Sequence, residues 1–350
     1  MFITIFIVGT LVALSRRGWI IVWLGLELNI VGFLGWMCIV DRAKYKLVDS
    51  WRVFDEISIF PPNSEPFAKY FLVQSVGSAF FLVGPLIYGT YIISGFRALF
   101  LLFGLFIKRG VAPFHQWFPS VCSNVSWKIN LALIFWQKVG PIFVIVSVLY
   151  ASSVAIFVGF RLLSLFFGVF GAIGQTQLRP LFAYSSVAHM GWIVVVIYFS
   201  KLAFFYYFML YRVMVVSLLS VFNCIKVYRL KIIRQMVGRI GYVLVGLGLV
   251  LRIGGVPPFT GFFIKVYALY VIIWGGWVFL AIIFCVFAGI RLSYYINVGF
   301  NLLLFCVFPK IALRSGGSMD LGAVSLMRSV FMVMGIFRGL GLCLVRGAIF

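Results

Sequence analysis

Between Gly18 and Val40 the chain has a single charged side chain, Glu27, and between Val154 and Ile173 again only one, Arg161. Runs of roughly 20 apolar residues are long enough to cross the hydrocarbon of a bilayer as a helix. About ten or eleven such runs follow one another along the chain. Hydrophobic residues make up 64% of it and charged residues 10%, against about 45–50% and about 25% in soluble domains. No core of 350 residues hides that much apolar surface from water, so the surrounding solvent is lipid. A membrane β-barrel would alternate apolar and polar residues over segments of roughly ten, whereas these runs are continuous. The expected fold class is an all-α polytopic membrane protein, one integral membrane domain over residues 1–350 with about 10–12 spans.

The expected helices lie at about 2–14, 18–40, 70–88, 92–107, 129–150, 153–173, 179–199, 202–224, 240–253, 258–275 and 277–298, with a weaker twelfth at 321–343. The N-terminus enters an apolar run at once, Met1–Leu14, without the features of a cleavable signal or presequence. Residues 41–69 read as a polar loop that contains Pro61-Pro62, where a helix cannot continue. Residues 225–239 read as a basic loop, and 299–350 as an apolar, basic tail.

A net charge of +22 raises the question of a nucleic-acid partner. The basic residues sit at the ends of apolar runs, where they anchor helices. The densest group, Lys226, Arg229, Lys231, Arg234 and Arg239, lies between two spans and suits anionic headgroups. Phospholipid, with cardiolipin an example of the anionic kind, is therefore the expected partner, and nucleic acid is not. The six cysteines have no C-x-x-C pair, and there are two histidines, so no metal or haem site is expected.

Five of the seven acids, Asp41, Asp49, Asp55, Glu56 and Glu65, fall within the polar segment. Asp320 lies in another polar stretch, which leaves Glu27 as the one carboxylate inside a span. Three lysines join it: Lys108, Lys138 and Lys265. A charge at the bilayer centre costs about 2.5–3.5 kcal/mol on insertion scales, so such groups usually face the protein interior and serve a purpose. Desolvation moves both a carboxylic acid and a lysine toward neutrality. A water-bridged chain of such groups can therefore hand a proton from one to the next. A lysine near a helix end can instead snorkel to the headgroups, a reading that applies to Lys108 and Lys138. Glu27, ten residues into its run, has no such escape.

His189 shares a predicted helix with Ser185 and Ser186. Helix packing through hydrogen bonds is its plainer role, and a relay role its alternative. Arg109, Arg161, Arg212, Arg252 and Arg291 stay charged and suit pairing or field-setting. Two short segments resemble each other, Gly110-Val111-Ala112-Pro113-Phe114 and Gly255-Val256-Pro257-Pro258-Phe259. Each interrupts an apolar run, with Pro113 in one and Pro257 and Pro258 in the other marking helix breaks, as in the discontinuous helices of repeat-built transporters.

Six ordered blocks carry a resemblance: Trp23–Asn29 (WLGLELN), Tyr70–Ser78 (YFLVQSVGS), Ile107–Pro119 (IKRGVAPFHQWFP), Trp136–Pro141 (WQKVGP), Gln175–Trp192 (QTQLRPLFAYSSVAHMGW) and Gly254–Lys265 (GGVPPFTGFFIK). Together they resemble the subunit 2 family of the NADH dehydrogenase of mitochondrial respiratory complex I. The resemblance implies an antiporter-like fold of inverted repeats with broken helices. It puts the family's buried acid on Glu27 and its central lysines on Lys108, Lys138 and Lys265. It also implies proton translocation within an assembly of membrane-arm subunits in the mitochondrial inner membrane, with NADH, FMN, iron–sulfur clusters and ubiquinone bound by other subunits and no cofactor in this chain. A free-standing cation/proton antiporter and a non-conducting scaffold are the rival readings. The chain departs from the family pattern at Arg109, where an apolar residue is usual, at Ser120, at Pro180, and in the length of the 41–69 insertion.

Overall fold

The structure, a computed structural model, describes residues 1–15, 18–49, 65–86, 91–148, 154–225, 227–228 and 240–307. Among these residues the chain forms helices and no strand. Six helical segments are long and apolar enough to cross a membrane, and four shorter apolar helices of 10–17 residues accompany them. The chain divides into two compact units, Met1–Ser164 and Leu165–Phe350.

The first unit opens with a helical hairpin, α1 (Phe2–Leu14) against α2 (Trp19–Asp49). Glycines bring the two backbones together: a Cβ on Gly9 would lie 2.5 Å from the Asn29 nitrogen, and one on Gly32 2.6 Å from that of Phe6. Small residues at a crossing are how membrane helices gain packing without a hydrophobic drive between them. Val22, Leu26, Ile30, Phe33 and Met37 recur at helical spacing on the buried face of α2, while Ile20, Leu24, Leu28 and Val31 are exposed. Next, α3 (Glu65–Leu86) packs on α4 (Tyr91–Arg109), again at a glycine crossing formed by Gly77 and Gly104. The short α5 (Trp117–Asn124), α6 (Trp127–Ile134), α7 (Val139–Val148) and most of α8 (Val154–Phe170) complete the unit. Rings from four helices, Phe6, Phe33, Tyr70 and Trp117, meet in sequence with centroids 5.2–6.0 Å apart, within the range of favourable aromatic pairs.

In the second unit α9 (Leu178–Phe199) is buried nearly all round, the position of a helix that is apolar on every face. Around it stand α10 (Lys201–Ile225), α12 (Thr260–Trp274) and, through Trp192 against Phe284 at 4.8 Å, α13 (Val278–Val307). α11 (Ile240–Gly254) packs on α10, α12 and α13.

Three expectations are corrected. Residues 41–69 are helical at both ends: α2 continues through Asp49 and α3 starts at Glu65. Residues 42–49 contain no proline or glycine to stop a helix, and Pro66 sits in the first turn of α3, where its missing N–H costs nothing. Glu65 and Lys69 then pair one turn apart. The span expected at 129–150 is present as one membrane-crossing segment, Trp127–Val148, but its helix is interrupted at residues 135–138 between α6 and α7. The segment around Pro119 forms the extra helix α5. The basic residues from Lys226 to Arg239 and the span at 321–343 lie outside the described residues.

Candidate functional site

Both proline-containing segments interrupt helices in the same way. α4 ends with Gly110 at φ 63°, Gly110 N–H donating to Ile107 O at 3.1 Å and Val111 N–H to Phe106 O at 3.0 Å. α11 ends with Gly255 at φ 85°, Gly255 N–H donating to Arg252 O at 3.2 Å and Val256 N–H to Leu251 O at 3.3 Å. Each is a Schellman closure, which needs a left-handed residue that glycine supplies without a Cβ clash. Pro113 follows the first closure, and Pro257 and Pro258 the second, where helical hydrogen bonding cannot resume at once.

The first break places Lys108 at the end of α4. Its Nζ lies 3.4 Å from Glu27 Oε1 on α2. The lysine side chain is 2% exposed and the glutamate 31%. Glu27 stands at the border between the buried and exposed faces of α2, which is why its carboxylate is only partly enclosed. The separation is longer than the 2.7–2.9 Å or so of a tight charge-assisted bond, so this is a loose ion pair. Two side chains pin the helix end: Gln74 Nε2 donates to Lys108 O at 3.1 Å and Trp117 Nε1 to Ile107 O at 3.2 Å. Gln74 satisfies a carbonyl that the helix C-terminus otherwise leaves open, and Trp117 adds a second donor to the Ile107 carbonyl already bonded by Gly110.

Lys138 occupies the separate break between α6 and α7. Trp136 and Gln137 both donate their N–H to Ala132 O, at 2.8 and 3.0 Å. Pro141 has no N–H to offer the Gln137 carbonyl, so one helical hydrogen bond is missing across this break. The Lys138 ammonium is buried and lies 4.5 Å from the centre of the Phe118 ring, within cation–π range. Arg109 Nη2 donates to the Lys138 carbonyl. One region of the first unit therefore gathers Glu27, Lys108 and the backbone of Lys138.

Lys265 belongs to the second unit. Its Nζ donates to the Gly254 carbonyl at the end of α11, where the negative end of the helix dipole favours a cation. Arg252 Nε meets Thr260 Oγ1 at 2.5 Å across the same break. Arg291 is fully buried, with its guanidinium 5.8 Å from the centre of the Trp192 ring. His189 Nδ1 is 2.9 Å from the Tyr207 hydroxyl, and its ring lies 4.2 Å from that of Tyr211. Ser185 Oγ donates back to Phe182 O at 2.8 Å. The tyrosines and Gln74 went unremarked in the sequence because a polar tip on an apolar run is indistinguishable there from an interfacial residue. The break at Lys138 was foreshadowed by Pro141.

Helices interrupted at matching Gly–Pro segments, with buried lysines at the interruptions and an acid facing one of them, define an antiporter-like polytopic membrane protein. The family described as NADH:quinone oxidoreductase/Mrp antiporter, TM, matches residues 87–293. NADH-ubiquinone oxidoreductase chain 2 of Anopheles gambiae is 32% identical over 272 residues, covering 75% of this chain and 74% of the relative. The protein of that name from Patiria pectinifera is 32% identical over 321 residues, covering 88% and 84%. In a solved structure, a chain of respiratory complex I from Thermus thermophilus with bound aureothin superposes with a TM-score of 0.75 at 20% identity, covering 95% of this chain and 75% of that one. The chain belongs to the NADH:quinone oxidoreductase/Mrp antiporter transmembrane family, among relatives named NADH-ubiquinone oxidoreductase chain 2.

Proposed function

We propose that the chain works as a proton-translocating membrane-arm subunit of an NADH:ubiquinone oxidoreductase, in contact with other membrane-arm subunits and with anionic phospholipid in the mitochondrial inner membrane. The redox chemistry, with NADH, FMN, iron–sulfur clusters and ubiquinone, belongs to other subunits of that assembly. The observation that carries this reading is the loose Glu27–Lys108 pair, with Lys108 buried, beside a broken helix that bears Lys138.

In a low-dielectric interior the strength of such a pair depends steeply on separation and on the surrounding medium. When the pair loosens, Lys108 passes its proton through water to Lys138, and the charge moves onward to Lys265. Moving one charge against each 100 mV costs about 2.3 kcal/mol, so the relay is driven from outside this chain. His189 and Ser185 serve packing through the Tyr207 contact and the helix backbone, or a side branch of the relay.

The test is proton pumping per NADH oxidised by the intact complex in sealed vesicles, Lys138→Ala against wild type, with assembly checked on native gels. Lower pumping or slower oxidation by the assembled variant is the expected result. Unchanged rates would replace this reading with that of a non-conducting scaffold.

A further inference from the structure

Arg109 is buried, 2% exposed, at the last position of α4. Its guanidinium donates through Nη2 to the carbonyl of Lys138. That carbonyl lies in the break before α7, where its helical partner, the Ile142 N–H, stands 3.4 Å away, beyond the usual range for such a bond. Arg109 thus supplies a donor to an acceptor that the broken helix serves poorly.

The neighbouring residue gives this contact its consequence. Lys108 and Arg109 are consecutive on the pinned end of α4, and one faces Glu27 while the other holds the backbone of Lys138. A guanidinium suits such a tie because it is permanently charged and offers several donors in a rigid plane. A charge-assisted hydrogen bond is also roughly twice as strong as a neutral one.

We propose that Arg109 is a positioning residue that ties the Lys138 break to the end of α4, so that Lys138 keeps register with the Glu27–Lys108 pair and follows its displacement. The inference rests on the proton-relay reading above and adds to it a residue that carries no proton itself.

The experiment measures proton pumping per NADH in sealed vesicles for assembled complexes carrying Arg109→Met or Arg109→Lys, each also combined with Lys138→Ala. Arg109→Met should lower pumping by about tenfold, the factor that corresponds to the low end of the range for a hydrogen bond from a charged group. Arg109→Lys, which keeps one charged donor, should recover pumping to within about twofold of wild type. In the Lys138→Ala background neither change should lower pumping further, because Arg109 acts through Lys138. Pumping at the wild-type level by Arg109→Met, a failure of Arg109→Lys to recover it, or a further loss in the Lys138→Ala background would each overturn the tie. Should Arg109→Met not assemble, Arg109→Lys carries the test alone: a small loss confined to the Lys138 background supports the tie, and an equal loss in both overturns it. If Lys138→Ala itself pumps as wild type, the relay reading fails and the tie falls with it. If Lys138→Ala is impaired and Arg109→Met is not, only the tie fails.

Discussion

Lys108 Nζ lies 3.4 Å from Glu27 Oε1, with the lysine enclosed by protein and the glutamate open on one side. The two charges therefore do not share one environment. Removing Glu27 leaves a buried ammonium without its carboxylate, whereas removing both leaves only packing to restore.

Glu27→Gln should consequently destabilise the assembled protein by about 1–3 kcal/mol, the penalty for a buried polar group left poorly partnered. The double variant Glu27→Gln/Lys108→Met should recover most of that loss while leaving proton pumping impaired. Thermal inactivation of the complex, measured beside pumping for the two single variants and the double, checks this. A double variant as unstable as the sum of the singles would contradict it.

Gly255→Ala should suppress pumping more than Gly276→Ala does. Both glycines have left-handed backbones, φ 85° and 83°, so each alanine meets a similar backbone strain of about 1–2 kcal/mol. Only at Gly255 does the added methyl meet another group, the Lys265 ammonium and its stem; at Gly276 nothing lies within 4 Å. A stability loss at Gly255 at least as large as at Gly276, with a pumping loss at Gly255 alone, is the expected pattern, read from thermal inactivation and vesicle acidification of the assembled complexes.

Tyr207→Phe should lower stability by about 1 kcal/mol and leave pumping unchanged if His189 serves packing. The substitution removes the hydroxyl 2.9 Å from His189 Nδ1 and leaves the ring against Trp192. A several-fold fall in pumping at unchanged stability would move His189 into the conducting path.

Much of the fold is legible because lipid is a demanding solvent. Val278–Val307 or Leu178–Phe199 has no alternative to a helix once water is absent, since every backbone group must be satisfied within the segment. The matched Gly–Pro segments announce their breaks for a local reason, the positive φ at Gly110 and Gly255 and the missing N–H groups of the prolines. Less legible was the split at residues 135–138, since Pro141 alone does not say whether a helix kinks or stops. The continuation of α2 to Asp49 was hidden by a polar composition that reads as loop but contains no helix breaker before residue 50.

The sequence by itself determined the membrane class, the helical elements, and the scarcity of carboxylates that singles out Glu27, because these follow from local transfer energies and backbone satisfaction. Tertiary structure alone decided that Lys108 meets Glu27 across 81 residues, that Lys265 reaches the Gly254 carbonyl, and that Arg109 turns inward to Lys138. A lysine or arginine near a helix end has a stem long enough to reach either the headgroups or the interior, and which it does depends on what neighbouring helices place within reach.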